Sequence, residues 1–349
     1  MTDRETVPDP TPTAPPPPDP TPTAPSPPEP TPPRPASRLR RWSRRTLLVL
    51  VTLWALVTAA SMVVVRSTQE RAAVPSGLSY VQAGDVRTRY REWGSGGSPV
   101  VLVHGAFESA DAWTPTAEVL GRTHHVFALD LTGNGYSQRK GPYDAAHMAD
   151  QVTAFIGAMR LVKPVIVGHS SGAAVVAEAA LRRPDAIGGL MLLDGDALLT
   201  GAGQKTPLPY LIIDPYRTAV LRLGVRSDWL VRTAYARACG PRCPRLDAAG
   251  VDQWRRPFMV PGAEKAVWEM FRNGVVGIPT SRLERVRGLG MPKSVVFGAD
   301  DFVFSRSTPA ETAARIGAPP PTLIPRAQHM TFVSDPGPVA AAIDALARR

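Results

Sequence analysis

Pro164-Val165-Ile166-Val167-Gly168-His169-Ser170-Ser171-Gly172-Ala173-Ala174 is the stretch on which the reading of this chain turns. Val165 to Val167 is a bulky, unbroken run, as expected of a central strand of a parallel sheet buried on both faces. Ser171 to Arg182 is alanine-rich and reads as helix. Between them the chain must reverse within about two residues. A serine at the apex of such a turn takes a strained backbone conformation, and its hydroxyl stands clear of the sheet. Gly168 and Gly172 flank it, where a side chain would collide with the neighbouring strand and helix. The helix start aims free N–H groups and a positive dipole end at any oxyanion that develops there. Gly-x-Ser-x-Gly alone is a weak pattern. Strand before and helix after favour a nucleophile over a glycine-lined turn without chemistry.

The same rhythm extends in both directions. Tyr80 to Trp93 alternates Val86, Thr88 and Tyr90 against Arg87, Arg89 and Arg91, the pattern of antiparallel edge strands. Ser98 to Gly105 is a buried strand carrying His104-Gly105 at its end. Val126 to Leu131 is another, running into Asp130-Leu131-Thr132-Gly133-Asn134-Gly135-Tyr136-Ser137. Ala145 to Leu161 is an amphipathic helix. Further strands are predicted at Ile187 to Leu193, Val295 to Phe297 and Thr322 to Ile324, and a closing helix at Pro336 to Arg349. Strands alternating with helices imply an α/β, mostly parallel sheet flanked by helices on both faces. Its active site should lie beyond the carboxyl ends of the strands.

A serine nucleophile needs a base, and the base needs an orienting acid. Of the six histidines, His169 adjoins the nucleophile and should point away from it. His104 sits in a tight turn, His124 and His125 precede a strand at the wrong end of the sheet, and His147 begins a helix. His329, in the loop after the last strand, is the predicted general base. Asp300 and Asp301 follow one strand and Asp194 and Asp196 another, so each could serve as the acid. The oxyanion hole should use the N–H of Ser171 and, from the loop after His104-Gly105, that of Ala106.

These residues together resemble the α/β-hydrolase superfamily, in its branch of small serine esterases, haloperoxidase-like perhydrolases and C–C bond hydrolases. The resemblance rests on His104-Gly105, Asp130-x-x-Gly133-x-Gly135-x-Ser137, Gly168-His169-Ser170-Ser171-Gly172, Gly298-x-x-Asp301 and His329, all in family order, and covers Leu78 to the C-terminus. It implies an α/β-hydrolase fold with a helical cap inserted after the sixth strand. The family's acid falls three residues after the glycine, which selects Asp301 over Asp300. The family's usual proline after this loop is replaced by Phe302-Val303-Phe304. Relatives that open epoxides or remove halides carry aspartate at the apex. Ser170 therefore points to a Ser170–His329–Asp301 triad and ester hydrolysis, without metal or organic cofactor. C–C bond cleavage or perhydrolysis on the same triad, and a silent hydrolase fold used for binding, are the alternatives.

The 349 residues divide by composition into 1–45, 46–66, 67–77, 78–196, 197–287 and 288–349. Within 1–45, Asp9-Pro10-Thr11-Pro12-Thr13-Ala14-Pro15 recurs at Asp19 to Pro25. Proline at this density favours extended polyproline II and cannot build a core. This disordered tail is either a spacer, the favoured reading, or a ligand for a proline-binding partner. Arg38, Arg40, Arg41, Arg44 and Arg45 precede the uncharged run Leu47 to Val65. As a helix that run is about 28 Å long, matching a hydrocarbon core of roughly 30 Å. The basic residues before it place the tail in the cytoplasm and the larger part outside, at the cell membrane. A cleavable signal peptide ending near Ser61 is the competing reading.

After the 67–77 linker and the first part of the hydrolase core, 78–196, the strand rhythm is lost across 197–287, the predicted cap. Its Trp229, Trp254, Phe258, Met259, Trp268, Met270 and Phe271 could line an acyl or ring pocket, but more than half of them are expected to form the cap's own core. Cys239 and Cys243 suit a disulfide if this part is exported. The charge of +10 comes almost wholly from scattered arginines with no nucleic-acid motif, so a small ester-like substrate is expected and no nucleic acid.

Overall fold

The computed structural model of the protein describes residues 36–69, 71–199 and 213–349; the proline-rich repeat and residues 200–212 of the expected cap lie outside them. The chain divides after Trp54 into two units. The first ends within helix α1 (Ala36–Ser67), whose residues from Leu47 to Trp54 expose apolar side chains around the helix. The helix begins ten residues before the expected span, because Pro35 is the last helix breaker and the arginines that follow are good helix formers. Among the described residues, Trp42–Ser67 is long and apolar enough to cross a membrane.

The second unit is built on eight strands: β1 (Ser79–Ala83), β2 (Val86–Trp93), β3 (Pro99–Val103), β4 (His125–Leu129), β5 (Val165–His169), β6 (Gly189–Leu193), β7 (Lys293–Gly298) and β8 (Thr322–Ile324). Their order is β1-β2-β4-β3-β5-β6-β7-β8. β1 and β2 form an antiparallel hairpin, β2 is antiparallel to β4, and every other pair is parallel. Gly84, at φ +62°, supplies the backbone that the two-residue hairpin loop requires.

Helices α2 (Thr114–Leu120), α3 (Ala145–Ala158) and α4 (Gly172–Arg182) link the first six strands. Between β6 and β7 lie α5 (Tyr216–Arg226), α6 (Asp228–Cys239), α7 (Ala248–Arg255), α8 (Ala263–Asn273) and α9 (Thr280–Glu284). This cap leaves and rejoins the core at one place, where Leu198 and Ile278 form an isolated bridge. α10 (Thr308–Ile316) precedes β8, and α11 (Thr331–Ser334) and α12 (Pro336–Ala347) follow it.

The unbroken apolar character of the central strands follows from this layering. β5 and β6 are buried at every position. Ile166 joins Val101, Phe127 and Leu190 in the core under α3 and α4. Val165 and Val167 join Leu102, Met191 and Val296 in the core under α2 and α12.

Two expectations are corrected. Tyr80 to Trp93 reads as edge strands, but of its two strands only β1 is an edge; β2 lies inside the sheet, and Arg89 is 3% exposed. Its guanidinium donates to Asp111 at 2.7 Å and lies 3.5 Å from Asp130. Burial alone would lower its pKa; the Asp130 and Asp111 carboxylates outweigh that and hold it above the ordinary arginine value. The large apolar residues of the cap also behave differently: none of Trp229, Trp254, Phe258, Met259, Trp268, Met270 and Phe271 is buried. Trp229 and Phe271 are exposed and the other five are half-buried, with Trp254 and Met270 packed against the core, while Tyr235 and smaller residues such as Ala219, Val251, Ala263, Ala266 and Val267 are buried in the cap. The segment expected as a linker is seated on the cap, with Arg71 on Glu264 and the N–H of Ala72 donating to Met259. Cys239 and Cys243 are joined as a disulfide at the end of α6.

Phe155 on α3 is fully buried and meets Tyr90 and Phe127 edge-on, with centroids 5.6 and 6.1 Å away. Phe155→Ala is expected to cost about 3–5 kcal/mol. Urea unfolding followed by circular dichroism checks this; an unchanged midpoint would contradict the packing described.

Candidate active site

β5 ends at His169 and α4 begins at Gly172, so Ser170 and Ser171 make the whole reversal. Ser170 takes φ +51°, a left-handed conformation that costs a non-glycine residue about 1–3 kcal/mol. The flanking glycines make that turn possible. A Cβ on Gly168 would stand 2.3 Å from the carbonyl oxygen of Gly172, and one on Gly172 would stand 2.6 Å from that of His104.

The reversal leaves the Ser170 hydroxyl at the carboxyl end of the sheet, where the last loop reaches it. The hydroxyl donates to His329 Nε2 at 3.0 Å. His329 Nδ1 donates in turn to Asp301 Oδ2 at 2.8 Å. The Asp301 side chain is 3% exposed and that of His329 12%. Gly298 allows this approach: a Cβ there would lie 2.3 Å from the carbonyl oxygen of Gln328.

The other aspartates considered as the acid are placed elsewhere. Asp300 is exposed. Asp196 accepts from the N–H of Leu198. Asp194 is fully buried and ties the ends of β6 and β7 to the start of α11, accepting from the N–H of Gly298 at 2.8 Å and from the N–H and hydroxyl of Thr331 at 3.2 and 2.5 Å. Burial raises its pKa to about 6, against the lowering effect of His169 and the Thr331 hydrogen bond.

His169 is bonded away from the Ser170 hydroxyl. Its Nδ1 faces Glu108 Oε2 at 3.0 Å and its Nε2 faces the carbonyl oxygen of His329 at 2.8 Å. Both partners are acceptors, so both ring nitrogens must carry protons for both bonds to form. Burial would push the imidazolium down; the Glu108 carboxylate and its hydrogen bond, Asp194 and the His329 carbonyl outweigh it and hold the pKa at about 9. Glu108 also accepts from the N–H of Gly105 at 2.8 Å. One buried ion pair therefore links the loop after β3 to the backbone of His329. His104 differs: Nε2 accepts from the N–H of Leu131 and Nδ1 donates to the Gly105 carbonyl, as in a neutral ring. His124, His125 and His147 make their contacts with Ser98, Asp344, Glu92, Asp85 and Pro142, none of them a triad residue.

The glycine after His104 presses the loop onto the nucleophile, since a Cβ on Gly105 would lie 2.9 Å from Ser170 Cβ. Ala106 follows, exposed, and Ser171 stands before the first turn of α4. Phe107, at φ +61°, carries its ring up to the cap, stacked on Phe271 with centroids 5.1 Å apart. Asp130 braces the neighbouring loop by accepting from the N–H groups of Ala110 and Tyr136 at 2.7 and 2.8 Å. A Cβ on Gly135 would fall 2.0 Å from the Asp130 carboxyl carbon.

An apolar cavity of about 500 Å³ lies under the cap, lined by Ala106, Phe107, Val225, Leu230, Trp254 and Met330 among others. It reaches the loop after β3 through Ala106 and the Ser170–His329 hydrogen bond through Met330, the residue after His329.

A buried parallel sheet with Ser, His and Asp converging at its carboxyl edge defines the class of α/β hydrolases. A model of the Alpha/beta hydrolase family matches residues 100–342, and the chain belongs to that family. It is 29% identical over 248 residues to a non-heme haloperoxidase of Rhodococcus erythropolis, covering 68% of this chain and 88% of that protein. It is 27% identical over 288 residues to the 2-hydroxy-6-oxo-6-(2'-aminophenyl)hexa-2,4-dienoic acid hydrolase of Metapseudomonas resinovorans, covering 77% of this chain and 91% of the other. The crystal structure of a membrane phospholipase A superposes with a TM-score of 0.62 at 22% identity, covering 88% of this chain and 99% of that one, a likeness of fold.

The His169–Glu108 pair carries a pH dependence. With a folded pKa of about 9 against an ordinary 6.5, His169 stabilises the fold fully below pH ~6.5 and loses that contribution as pH rises through 9. The unfolding midpoint is expected to fall between pH 6.5 and 9.5, and more steeply than in Glu108→Gln. Equal slopes in urea titrations of the two proteins would remove the pair from this account.

Proposed function

We propose that this chain is a membrane-anchored serine hydrolase that cleaves carboxylic esters through an acyl-enzyme. The observation that carries the reading is the relay Ser170 Oγ to His329 Nε2 to Asp301, at 3.0 and 2.8 Å. Ser170 Oγ attacks the ester carbonyl as its proton passes to His329 Nε2. The N–H groups of Ala106 and Ser171 hold the tetrahedral oxyanion. His329 gives the proton to the leaving alcohol, then takes one from water, which attacks the acyl carbonyl; the carboxylic acid departs and Ser170 is restored. Asp301 fixes the tautomer and offsets the imidazolium charge. Each step uses the chain's own groups and water.

C–C bond cleavage or perhydrolysis on the same residues is the second reading, favoured by the names of the haloperoxidase and the hexadienoic acid hydrolase. A silent binding protein is the third, and the intact hydrogen-bonded triad speaks against it. Anchoring is supported by the exposed apolar surface of α1. The arginines before the apolar run assign its N-terminal side to the cytoplasm and the hydrolase to the outer side of the cell membrane.

A fluorophosphonate probe is expected to label the full-length protein at Ser170. Ser170→Ala should abolish labelling and lower p-nitrophenyl ester turnover by on the order of 10⁴-fold or more. Asp301→Asn should cost on the order of 10³–10⁴-fold. Retained turnover in Ser170→Ala would refute the reading, and turnover confined to diketone or peroxide substrates would pass it to the second.

A further inference from the structure

The C-terminal turns of α1 are packed against the cap. The Tyr216 hydroxyl at the start of α5 lies 2.6 Å from Thr58 Oγ1. Arg222, further along α5 and 6% exposed, donates to the carbonyl of Val65 at 2.6 Å and to that of Thr68 at 3.2 Å. Glu264 on α8 accepts from both Arg222 and Arg71, which closes the joint. From Tyr216 to Arg222 helix α5 rises about 9 Å, and from Thr58 to Val65 helix α1 rises about 10 Å, so the two run side by side in the same sense. Tyr216 is therefore level with a point about 10 Å before Val65, the last residue of the uncharged run.

What α5 and α6 present outward fits that level. Val220 is 65% exposed, Leu223 53%, Trp229 70% and Leu230 43%. Scattered single apolar residues need no explanation, but four within eleven positions on two consecutive helices form a patch. In the same two helices Arg217 pairs with Asp214, and Asp228 with Arg255, so these charges are met within the protein. An exposed apolar face on adjacent helices matches a helix pair lying in a membrane interface, where such faces enter about 5–10 Å. Leu230 belongs both to this patch and to the lining of the cavity that reaches Ala106 and Met330.

We propose that the Val220, Leu223, Trp229 and Leu230 face of the cap lies in the bilayer beside the last turns of α1, and that acyl-ester lipids enter the cavity from that leaflet past Leu230. The proposal rests on the serine-hydrolase reading of Ser170 and on α1 spanning the membrane. It makes the substrate a long-chain acyl ester resident in the membrane, held by apolar contact along its chain, with the ester carbonyl presented to Ser170.

Two measurements on the full-length protein in phosphatidylcholine–phosphatidylglycerol vesicles test it. Cys239 and Cys243 are disulfide-bonded, so Leu223→Cys adds a single free thiol for a fluorescent label. That label is expected to be quenched by a spin-labelled lipid, and a label at Val162→Cys, 79% exposed at the opposite end of the sheet, is not. Equal quenching at both sites, or none at 223, overturns the proposal. Val220→Asp combined with Leu223→Asp should lower hydrolysis of vesicle-embedded acyl lipid about tenfold or more, with p-nitrophenyl acetate turnover within about twofold of the parent. Equal loss on both substrates, unchanged lipid hydrolysis, or a parent protein that cleaves the acetate but no bilayer lipid each overturns it. Absence of fluorophosphonate labelling in the parent instead defeats the serine-hydrolase reading, which separates the two failures.

Discussion

The fold turns on a reversal of chain direction made by two residues. β5 delivers the backbone at the centre of the sheet, α4 carries it back across one face, and Ser170 occupies the left-handed conformation between them. Neither end of that bend can relax: Gly168 and Gly172 leave no room for a side chain, and Gly105 and Gly298 bring two further loops in at contact distance. The cost of the strained residue is modest beside the apolar burial of β5 and β6. The central strands thus hold the hydroxyl in a position that an isolated turn would not keep.

A second layer fixes the partners of that hydroxyl. Asp194 joins the ends of β6 and β7 to Thr331, two residues beyond His329. His169 joins Glu108 to the main chain of His329 itself. A buried ion pair contributes little to net stability unless its remaining hydrogen-bonding capacity is met. Here the Gly105 N–H and the His329 carbonyl meet it. The relay Ser170–His329–Asp301 is therefore placed by backbone that charged side chains hold, and not only by its own two hydrogen bonds.

The sheet was legible because its strands are short apolar runs that stop at glycine or a charged residue, and each predicted run forms a strand. Ser170, His329 and Asp301 were legible as candidates because each follows a strand and the chemistry demands those residue types. The role of His169 was hidden by its neighbour: a histidine beside a nucleophile reads as a spacer until the fold shows what lies behind it. Glu108 gave no signal, since nothing in Ala106-Phe107-Glu108 marks a carboxylate that will be buried. The burial of Arg89 was not legible, because alternation tells which residues share a face, not whether that face will be covered. The cap rings divide in a way composition does not record: Tyr235 is buried, Trp254 and Met270 are half-buried against the core, and Trp229 and Phe271 remain exposed.

Arg222 also determines how the hydrolase is mounted. It places a fixed cation on the carbonyls that end α1, and Glu264 and Arg71 lock it there. A loose stalk would let the cleft sweep through every heading and meet solutes by chance. A bolted joint makes the domain turn only as residues 58–68 at that helix end turn, so the mouth of the cleft keeps a constant bearing to the helix end.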